Sequence, residues 1–350
     1  MSIFKKYKKM KTVLVTGGLG YIGSHTVVEL IESGFEVVIV DNLSNSRLGI
    51  LDQITQISEK KVKFYNLNIV IKKDFDLVFK ENEIDAVIHF AAYKSVGESM
   101  QKVLEYYENN IGSLISVLSK MEEYKVNNLI FSSSCTVYGQ PETLPVNEDS
   151  PVQEAESVYG TTKIMCEKII KDFINQKHTQ KTMLLRYFNP VGAHESGLIG
   201  EITTGVPNYL FPFITQTVFG QREELKIFGS DYNTPDGTAI RDYIHVVDLA
   251  KAHVSSLKKI EESNSKIETI NVGTGKGYSV MEVVKMFEKV LDKPINYKLV
   301  DRREGDIEKI YAVCDKANEL LKWKSEYNLE DMVRSALKWE NNLSNGDVKL

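Results

Sequence analysis

The stretch Thr16-Gly17-Gly18-Leu19-Gly20-Tyr21-Ile22-Gly23 decides the fold of this chain. It follows the apolar run 13–15 and leads into 22–31, where apolar side chains recur at helical spacing. Its last glycines have the spacing G-x-G-x-x-G, which gives a tight turn, close approach to a pyrophosphate and close helix packing. The stretch therefore predicts a strand, a glycine turn and a helix whose N-terminus binds a dinucleotide.

An acidic residue follows the next apolar run. The run 36–40 ends in Asp41, 18 residues after Gly23. A carboxylate at that distance accepts hydrogen bonds from the adenosine ribose hydroxyls and repels a 2′-phosphate. We therefore predict NAD as the cofactor, although Arg47 lies close enough in sequence to leave NADP open. A glycine turn without a ligand is the other interpretation of the motif taken alone.

Strand-like and helical segments alternate through the first half of the chain. Further strands are predicted at 61–68, 86–90, 128–132 and 182–187, and helices at 74–81, 106–125 and 158–174. Six parallel strands joined by crossover helices form a doubly wound α/β sheet, the Rossmann fold. From about Pro190 glycine-rich loops and short strands, such as 225–228 and 269–272, predict a smaller mixed α/β substrate-binding lobe.

The same pattern predicts the domain organisation. We expect a basic tail at 1–10, a dinucleotide-binding domain at 11–190 and a lobe that mainly binds substrate at 191–345. Because no Pro- or Ser-rich linker separates the last two, they should pack together and form a cleft.

Composition narrows the class of protein. The 350 residues are 42% hydrophobic and 26% charged with a net charge of −5, so nothing favours nucleic-acid binding. No apolar run reaches the roughly 18 residues of a membrane helix, and the start lacks the apolar region of a signal peptide. Three scattered cysteines are too few for a disulfide framework or a zinc site. We expect a cytoplasmic protein without a metal.

Three residues are candidates for the chemistry. Ser134 lies just past the strand 128–132, and Tyr159 and Lys163 share one face of the next helix at i, i+4 spacing. A phenol has an ordinary pKa of about 10, but a neighbouring ammonium and a nicotinamide cation both favour the phenolate. Taken alone, the pair is also compatible with an ordinary exposed helical pair. Next to a dinucleotide motif it predicts acid–base catalysis.

With these motifs the chain resembles the extended short-chain dehydrogenase/reductase family from about residue 11 to 339. The motifs that carry the resemblance are Gly17-Gly18-Leu19-Gly20-Tyr21-Ile22-Gly23-Ser24-His25, Asp41-Asn42-Leu43, His89-Phe90-Ala91-Ala92, Val96-Gly97-Glu98-Ser99, Phe131-Ser132-Ser133-Ser134-Cys135-Thr136-Val137-Tyr138-Gly139, Leu185-Arg186-Tyr187-Phe188-Asn189-Pro190-Val191-Gly192-Ala193-His194, Arg241-Asp242-Tyr243-Ile244-His245-Val246 and Arg302-Arg303-Glu304-Gly305-Asp306.

The resemblance is closest to members that act on UDP-hexoses, and it implies an isomerase of galactose metabolism. Tyr159, aided by Ser134, removes the proton of the sugar 4-hydroxyl while NAD takes the hydride from C4. The 4-keto sugar turns and is reduced on its other face, which interconverts UDP-glucose and UDP-galactose. Family habit and the apolar residues of one helix also imply a homodimer. Those apolar residues are Ile111, Leu114, Ile115, Leu118 and Met121, which alternatively only cover the sheet.

The resemblance also assigns binding residues. For NAD they are Gly17, Gly20, Tyr21, Ile22, Gly23, Asp41, Asn42, Asn68, Ile69, Phe90, Lys94, Asn109, Tyr159, Lys163 and Tyr187. For the nucleotide sugar they are Ser134, Tyr159, Asn189, Asn208, Tyr209, Leu210, Phe228, Arg241, Arg303, Asp306 and Ile310. Arginines suit the diphosphate and the ring of Phe228 suits the uracil.

The chain departs from the family pattern at a few of these positions. Asn68 replaces an aspartate near the adenine and keeps a hydrogen-bond acceptor. Tyr209 replaces an asparagine beside the uracil, so we expect the backbone of residues 208–210 to make the contacts there. Ile310 stands where a residue of the hexose pocket sets which sugars fit, although neighbouring Tyr311 is an alternative.

Two other functions are compatible with parts of the pattern. A nucleotide-sugar dehydratase or decarboxylase shares the fold, the cofactor and the Tyr-Lys pair. A dehydratase also needs an acid and a base, usually an Asp-Glu pair, where this chain has Cys135 and Thr136. A dinucleotide-sensing protein without catalysis typically lacks the tyrosine or the lysine, and both are present here.

Overall fold

The computed structural model describes residues 11–176, 179–203, 205–303 and 305–350, so the predicted basic tail lies outside the described residues. The strands are β1 Thr12–Thr16, β2 Glu36–Asp41, β3 Lys63–Asn66, β4 Ala86–His89, β5 Asn128–Ser134, β6 Lys181–Tyr187, β7 Asn189–Val191, β8 Leu225–Phe228, β9 Ile240–His245, β10 Ile267–Val272, β11 Gly277–Ser279, β12 Tyr297–Val300 and β13 Lys309–Ile310. The helices are α1 Tyr21–Glu32, α2 Gly49–Ser58, α3 Lys72–Glu81, α4 Val96–Gln101, α5 Val103–Glu123, α6 Val158–Gln176, α7 Leu210–Val218, α8 Val246–Lys259, α9 Val280–Leu291, α10 Asp315–Leu321 and α11 Leu329–Ser344.

A seven-stranded parallel sheet forms the centre of the first lobe. Its order is β3-β2-β1-β4-β5-β6-β10, and every neighbouring pair in it is parallel. The order reverses between β1 and β4, which is where doubly wound sheets bind ligands at their carboxyl edge. The predicted doubly wound α/β fold is confirmed.

Helices cover both faces of this sheet because its strands are apolar on both sides. One face packs under α1, α2, α8 and α10, with buried Val27, Ile54, Leu249 and Leu321 among the contacts. The other face packs under α3, α5 and α6, with buried Phe75, Leu114 and Ile170. The core therefore lies in two layers, one on each side of the sheet.

Several elements differ from the sequence prediction, among them a strand and a helix of the first lobe. The segment 269–272, which was predicted to belong to the second lobe, is part of β10 and pairs with β6 as the seventh strand of the large sheet. Helix α2 was not predicted, although Ile50, Ile54 and Ile57 recur on one side of it and pack on the sheet. The hydrophobic spacing of α2 is visible in the sequence, whereas the pairing of β10 with β6 depends on contacts between distant segments.

The second lobe is built from short strands and three helices. A small sheet of β11, β9 and β13, with β7 beside β9, packs near α7, α9 and α11. The pair β8 and β12 adds two more strands. Phe211, Ile214, Phe287 and Val333 are buried between these elements. This lobe lies over the carboxyl edge of the large sheet, where β5 and β6 end.

Most of the apolar residues from which a homodimer was predicted lie in the core of this chain. Leu114, Leu118 and Met121 are buried in this chain and pack against the sheet, whereas Ile115 is 41% exposed. Within the described ranges, no helix combines the length and apolar character needed to cross a bilayer.

Candidate functional site

Backbone atoms in and around the glycine turn between β1 and α1 lie so close together that side chains on Gly17 and Gly23 would collide with them. Gly17 has a φ of +71°, and a Cβ there would lie 2.8 Å from the Ala91 nitrogen. A Cβ on Gly23 would lie 2.2 Å from the Gly17 oxygen. Gly20 at the N-cap of α1 has no side chain to bond the first-turn amides, which are left to a ligand. This cradle fits a pyrophosphate.

A cleft runs from this turn along the carboxyl edge of the sheet. It is lined by every residue that the sequence analysis assigned to the cofactor, from the glycine turn to the ends of β5 and β6. They are Gly17, Gly20, Tyr21, Ile22, Gly23, Asp41, Asn42, Asn68, Ile69, Phe90, Lys94, Asn109, Tyr159, Lys163 and Tyr187. We name it the cofactor cleft.

The adenosine end of the cofactor cleft contains Asp41 and Asn68. The Asp41 carboxylate is buried and accepts from the Leu19 amide at 3.1 Å, the Leu43 amide at 2.9 Å and the Ser46 hydroxyl at 2.8 Å. Two carboxylate oxygens offer about four acceptor positions, so one stays free for a ribose hydroxyl. Asn68 lines the cleft, and its side-chain oxygen accepts from the Val70 amide at 3.0 Å.

A second cavity, the substrate cavity, opens between the two lobes. Its lining includes all but one of the residues that were predicted to hold the nucleotide sugar. They are Ser134, Tyr159, Asn189, Asn208, Tyr209, Leu210, Phe228, Arg241, Arg303 and Asp306. Only Ile22, Lys94, Tyr159 and Tyr187 line both this cavity and the cofactor cleft, among the residues that the structure describes. Tyr159 therefore lies where two bound molecules would meet.

The candidate catalytic residues come together at the end of β5. The Ser134 hydroxyl lies close enough to the Tyr159 phenol to influence its pKa, and it accepts from the Thr136 hydroxyl at 3.0 Å and the Thr136 amide at 3.2 Å. Lys163 is buried, and its Nζ donates to the Ser132 carbonyl at 2.6 Å and lies 5.8 Å from the centre of the Tyr159 ring. Sequence reasoning did not identify Thr136, which fixes the orientation of the Ser134 hydroxyl.

Protonation at this site is set by burial. Withdrawal from water raises the pKa of Tyr159 above its usual range, and the neighbouring Ser134 hydroxyl opposes this only in part. Burial lowers the pKa of Lys163 to about 8. The sequence prediction of a favoured phenolate, which included the charge of a nicotinamide cation, stays a prediction. The tyrosine would need further positive charge to ionise at neutral pH.

Neither residue after Ser134 is suited to carry a second proton. Burial raises the pKa of the Cys135 thiol to about 12. The Thr136 hydroxyl is engaged with Ser134. The acid and base that a dehydration requires are therefore not supplied at these two positions.

Cationic side chains line the far end of the substrate cavity. The Arg303 guanidinium lies 5.6 Å from the centre of the Phe228 ring and donates to the Asp306 carboxylate at 2.8 Å. The Arg241 guanidinium donates to the Ile240 carbonyl at 2.9 Å. An aromatic face and two guanidinium groups can take a base and a diphosphate.

Tyr209 and Lys94 form a contact that the sequence did not predict. The Tyr209 hydroxyl donates to the Lys94 carbonyl at 3.0 Å, and the Lys94 Nζ lies 4.9 Å from the centre of the Tyr209 ring. The same Nζ makes an ion pair with Glu201 at 2.7 Å. Glu201 lines the substrate cavity but lies in a loop 107 residues from Lys94, so no local pattern marks it.

Ile310 lies behind the wall of the substrate cavity. Within the described residues it is the predicted binding residue that lines neither cavity, and it is 1% exposed. It packs in one cluster with Cys135 and Phe188, which do line the cavity. An influence of Ile310 on the choice of sugar would pass through these two side chains.

This burial gives a stability prediction. Ile310→Ser leaves a cavity and buries a hydroxyl, so we expect it to lower the free energy of unfolding by about 3 kcal/mol in urea denaturation. Leu299→Ser, at a position 47% exposed on β12, is the matched control and should change it by no more than about 0.5 kcal/mol. Equal effects would show that Ile310 is not a core residue.

Known proteins resemble this chain over nearly its whole length. Residues 14–336 match the family described as GDP-mannose 4,6 dehydratase. The chain is 48% identical over 334 residues to the UDP-glucose 4-epimerase of Dictyostelium discoideum, which covers 95% of this chain and 97% of that protein. The Bacillus subtilis UDP-glucose 4-epimerase is also 48% identical, over 95% of this chain and 98% of that protein.

A solved structure extends the resemblance to three dimensions. The UDP-glucose 4-epimerase of Bifidobacterium longum, in complex with NAD+ and UDP, superposes with a TM-score of 0.93 at 46% identity. The match covers 96% of this chain and 100% of that chain. Within the described residues, no group of three or more His, Cys, Asp or Glu side chains is arranged to hold a metal ion.

Proposed function

Since this chain belongs to the extended short-chain dehydrogenase/reductase family and, within it, to the UDP-glucose 4-epimerases, we propose that it interconverts UDP-glucose and UDP-galactose with NAD as cofactor. The observation that carries this proposal is the position of Tyr159. It lines both the cofactor cleft and the substrate cavity, near Ser134 and Lys163.

The residues suggest the following division of roles. NAD bound in the cofactor cleft supplies a hydride acceptor and, later, a hydride donor. Tyr159 takes the proton of the sugar 4-hydroxyl and returns it after the 4-keto sugar has turned, with the Ser134 hydroxyl nearby to share the proton. Lys163 contributes positive charge beside the phenol. Arg241, Arg303 and Phe228 hold the nucleotide, so the hexose can rotate while the diphosphate stays fixed.

A dehydratase is the rival within the same family, and the family description that matches names one. Dehydration removes a proton from C5 and a hydroxyl from C6, which requires an acid and a base in addition to the tyrosine. The raised pKa of Cys135 and the engaged hydroxyl of Thr136 argue against that reaction. Epimerisation needs neither group.

One assay tests the proposal. Purified protein is incubated with UDP-galactose, and the products are separated by chromatography. We expect UDP-glucose to form until the two sugars reach equilibrium, without net consumption of NAD. A 4-keto-6-deoxy product would instead establish a dehydratase, and an unchanged substrate with bound NAD would leave a sensing role.

We also propose a homodimer formed by the side-by-side helices α5 and α6. Apolar side chains remain exposed on both helices, namely Leu104 at 80%, Ile115 at 41% and Met165 at 41%. Leu104, Ile111 and Ile115 recur at helical spacing, so they share one side of α5. An apolar stripe of this kind is typical of a surface that a second copy covers.

A charge in that stripe should separate the subunits. We expect light scattering to give a dimer for the wild type at micromolar concentration and a monomer for Ile115→Arg, because the interface cannot solvate a guanidinium. Leu77→Arg, at a position 48% exposed on α3, is the matched control and should remain a dimer. A wild-type monomer, or a dimeric Ile115→Arg variant, would refute this interface.

Two further assignments stay proposals. We propose that the protein acts in the cytosol, which agrees with its three unpaired cysteines. We also propose the division at 190/191 into a dinucleotide-binding domain and a lobe that mainly binds substrate. The lobe boundary is crossed by β10, which returns to the large sheet.

A further inference from the structure

Tyr209 joins the second lobe to a lysine of the cofactor cleft. It is the N-cap residue of α7, and its hydroxyl donates to the Lys94 carbonyl at 3.0 Å. Its ring also faces the Lys94 ammonium, with 4.9 Å between the Nζ and the ring centre. A side chain without an aromatic ring and a hydroxyl could make neither of these two contacts. The link between the two lobes at this point therefore depends on the Tyr209 side chain.

Lys94 is held from several directions. Its Nζ makes an ion pair with Glu201, whose side chain is 12% exposed, and lies 5.6 Å from the centre of the Tyr21 ring. Tyr21 belongs to the first turn of α1, and its hydroxyl donates to the Gly192 carbonyl at 2.6 Å. Since Lys94 lines both the cofactor cleft and the substrate cavity, its position matters to both ligands.

The residue before Tyr209 connects to the nucleotide end of the substrate cavity. The Asn208 carbonyl accepts from the Arg303 guanidinium at 3.3 Å, and the Asn208 side chain donates to the Ser95 hydroxyl at 3.2 Å. Arg303 in turn lies over Phe228. A nucleotide that binds Arg303 therefore contacts a residue bonded to Asn208, and the next residue, Tyr209, contacts Lys94.

We propose that Tyr209 is a positioning residue that couples the binding of a uridine diphosphate to the retention of NAD, by holding Lys94 in place. The inference rests on the proposed function, because it takes NAD and a UDP-sugar as the two ligands. A nucleotide bound to Arg303 would hold Asn208 and Tyr209 in position. Tyr209 would in turn hold Lys94 against the cofactor cleft, where Lys94 would retain the bound NAD. If UDP increases the equilibrium affinity of the protein for NAD, then by linkage NAD must increase its affinity for UDP by the same factor.

The test measures how fast bound NAD is lost. NAD-loaded protein is diluted with and without UDP, and the remaining cofactor is quantified over time. In the wild type we expect UDP to slow the loss by about tenfold, the combined effect of one hydrogen bond and one cation–π contact. Tyr209→Phe keeps the ring but loses the hydroxyl, and it should retain part of this effect. Tyr209→Leu should reduce the effect to less than about twofold.

A matched control separates a local effect from a general one. Tyr124→Phe removes a hydroxyl that donates to Asp76 at 3.0 Å on the edge of the first lobe, so it should respond to UDP as the wild type does. An equal effect of UDP on NAD loss in the wild type, Tyr209→Phe and Tyr209→Leu would overturn the proposal, as would no effect in the wild type. If Tyr209→Leu fails to fold, Tyr209→Phe alone decides.

UDP is not turned over, so this test can succeed even if the proposed reaction fails. A wild type that converts UDP-galactose but shows no coupling would overturn only the role of Tyr209. Coupling without conversion would overturn only the epimerase assignment.

Discussion

Tyr159→Phe should lower kcat for the conversion of UDP-galactose to UDP-glucose by about 10³-fold while the protein still folds and binds NAD. The phenolic oxygen is the group that exchanges a proton with the sugar hydroxyl, and acid–base catalysis by one side chain is typically worth about 10²- to 10⁴-fold. The ring is kept, so the packing at the junction of the two cavities should persist. The measurement is kcat by a coupled assay, beside the NAD content of the purified protein.

The surroundings of Tyr159 make this a clean substitution. Ser134 keeps both hydrogen bonds that it accepts from Thr136, so its position should be retained in the variant. Tyr124→Phe removes a phenolic oxygen outside both cavities and should leave kcat within about twofold. A Tyr159→Phe variant with turnover near that of the wild type would remove Tyr159 from the mechanism.

The local patterns of the sequence predict much of this site because its parts are local. The glycine turn joins one strand to one helix, and Tyr159 and Lys163 lie four residues apart on α6. Parallel strands also carry their loops to one edge of the sheet, which brings Ser134 near the glycine turn. Each of these relations follows from a period or a topology rule.

What the sequence could not predict depends on contacts between distant segments. The strand β10 is a short apolar run, and only its register with β6 assigns it to the large sheet. Glu201 meets Lys94 across the cleft between the lobes, and a loop carboxylate has no pattern that marks its partner. The sequence around Ile310 does not show which way its side chain faces. In the structure β13 pairs with β9, and the Ile310 side chain is buried.

The raised pKa of Tyr159 also depends on the tertiary structure and could not be predicted from the sequence. The i, i+4 spacing shows that a lysine is near, but it does not show how much water the fold removes. Here burial acts on both partners in opposite directions, since it raises the pKa of Tyr159 and lowers that of Lys163 to about 8. The charge of the lysine is therefore variable in the range of pH where the enzyme would work.

Lys163→Met should lower kcat by about 100-fold at pH 7, with a loss that shrinks as the pH rises. An opposite charge within a few ångströms lowers the pKa of a neighbouring acid by about 1 to 3 units, and each unit is worth tenfold in the phenolate fraction. Removing the ammonium raises the pKa of Tyr159 further, so the rising part of the pH–rate profile moves to higher pH. Methionine is close to lysine in length, which keeps the packing against Phe131 and Tyr159.

The sign of the pH dependence follows from the pKa of Lys163. In the wild type this lysine is charged below about pH 8 and loses its charge above it, so its advantage over methionine is greatest at low pH. The ratio of wild-type to variant kcat should therefore fall between pH 7 and pH 10. Lys168→Met is the control, because Lys168 lies on the same helix with its side chain 69% exposed, and its profile should match the wild type. A constant ratio across this range would mean that Lys163 acts by holding ligands alone, and not through the ionisation of Tyr159.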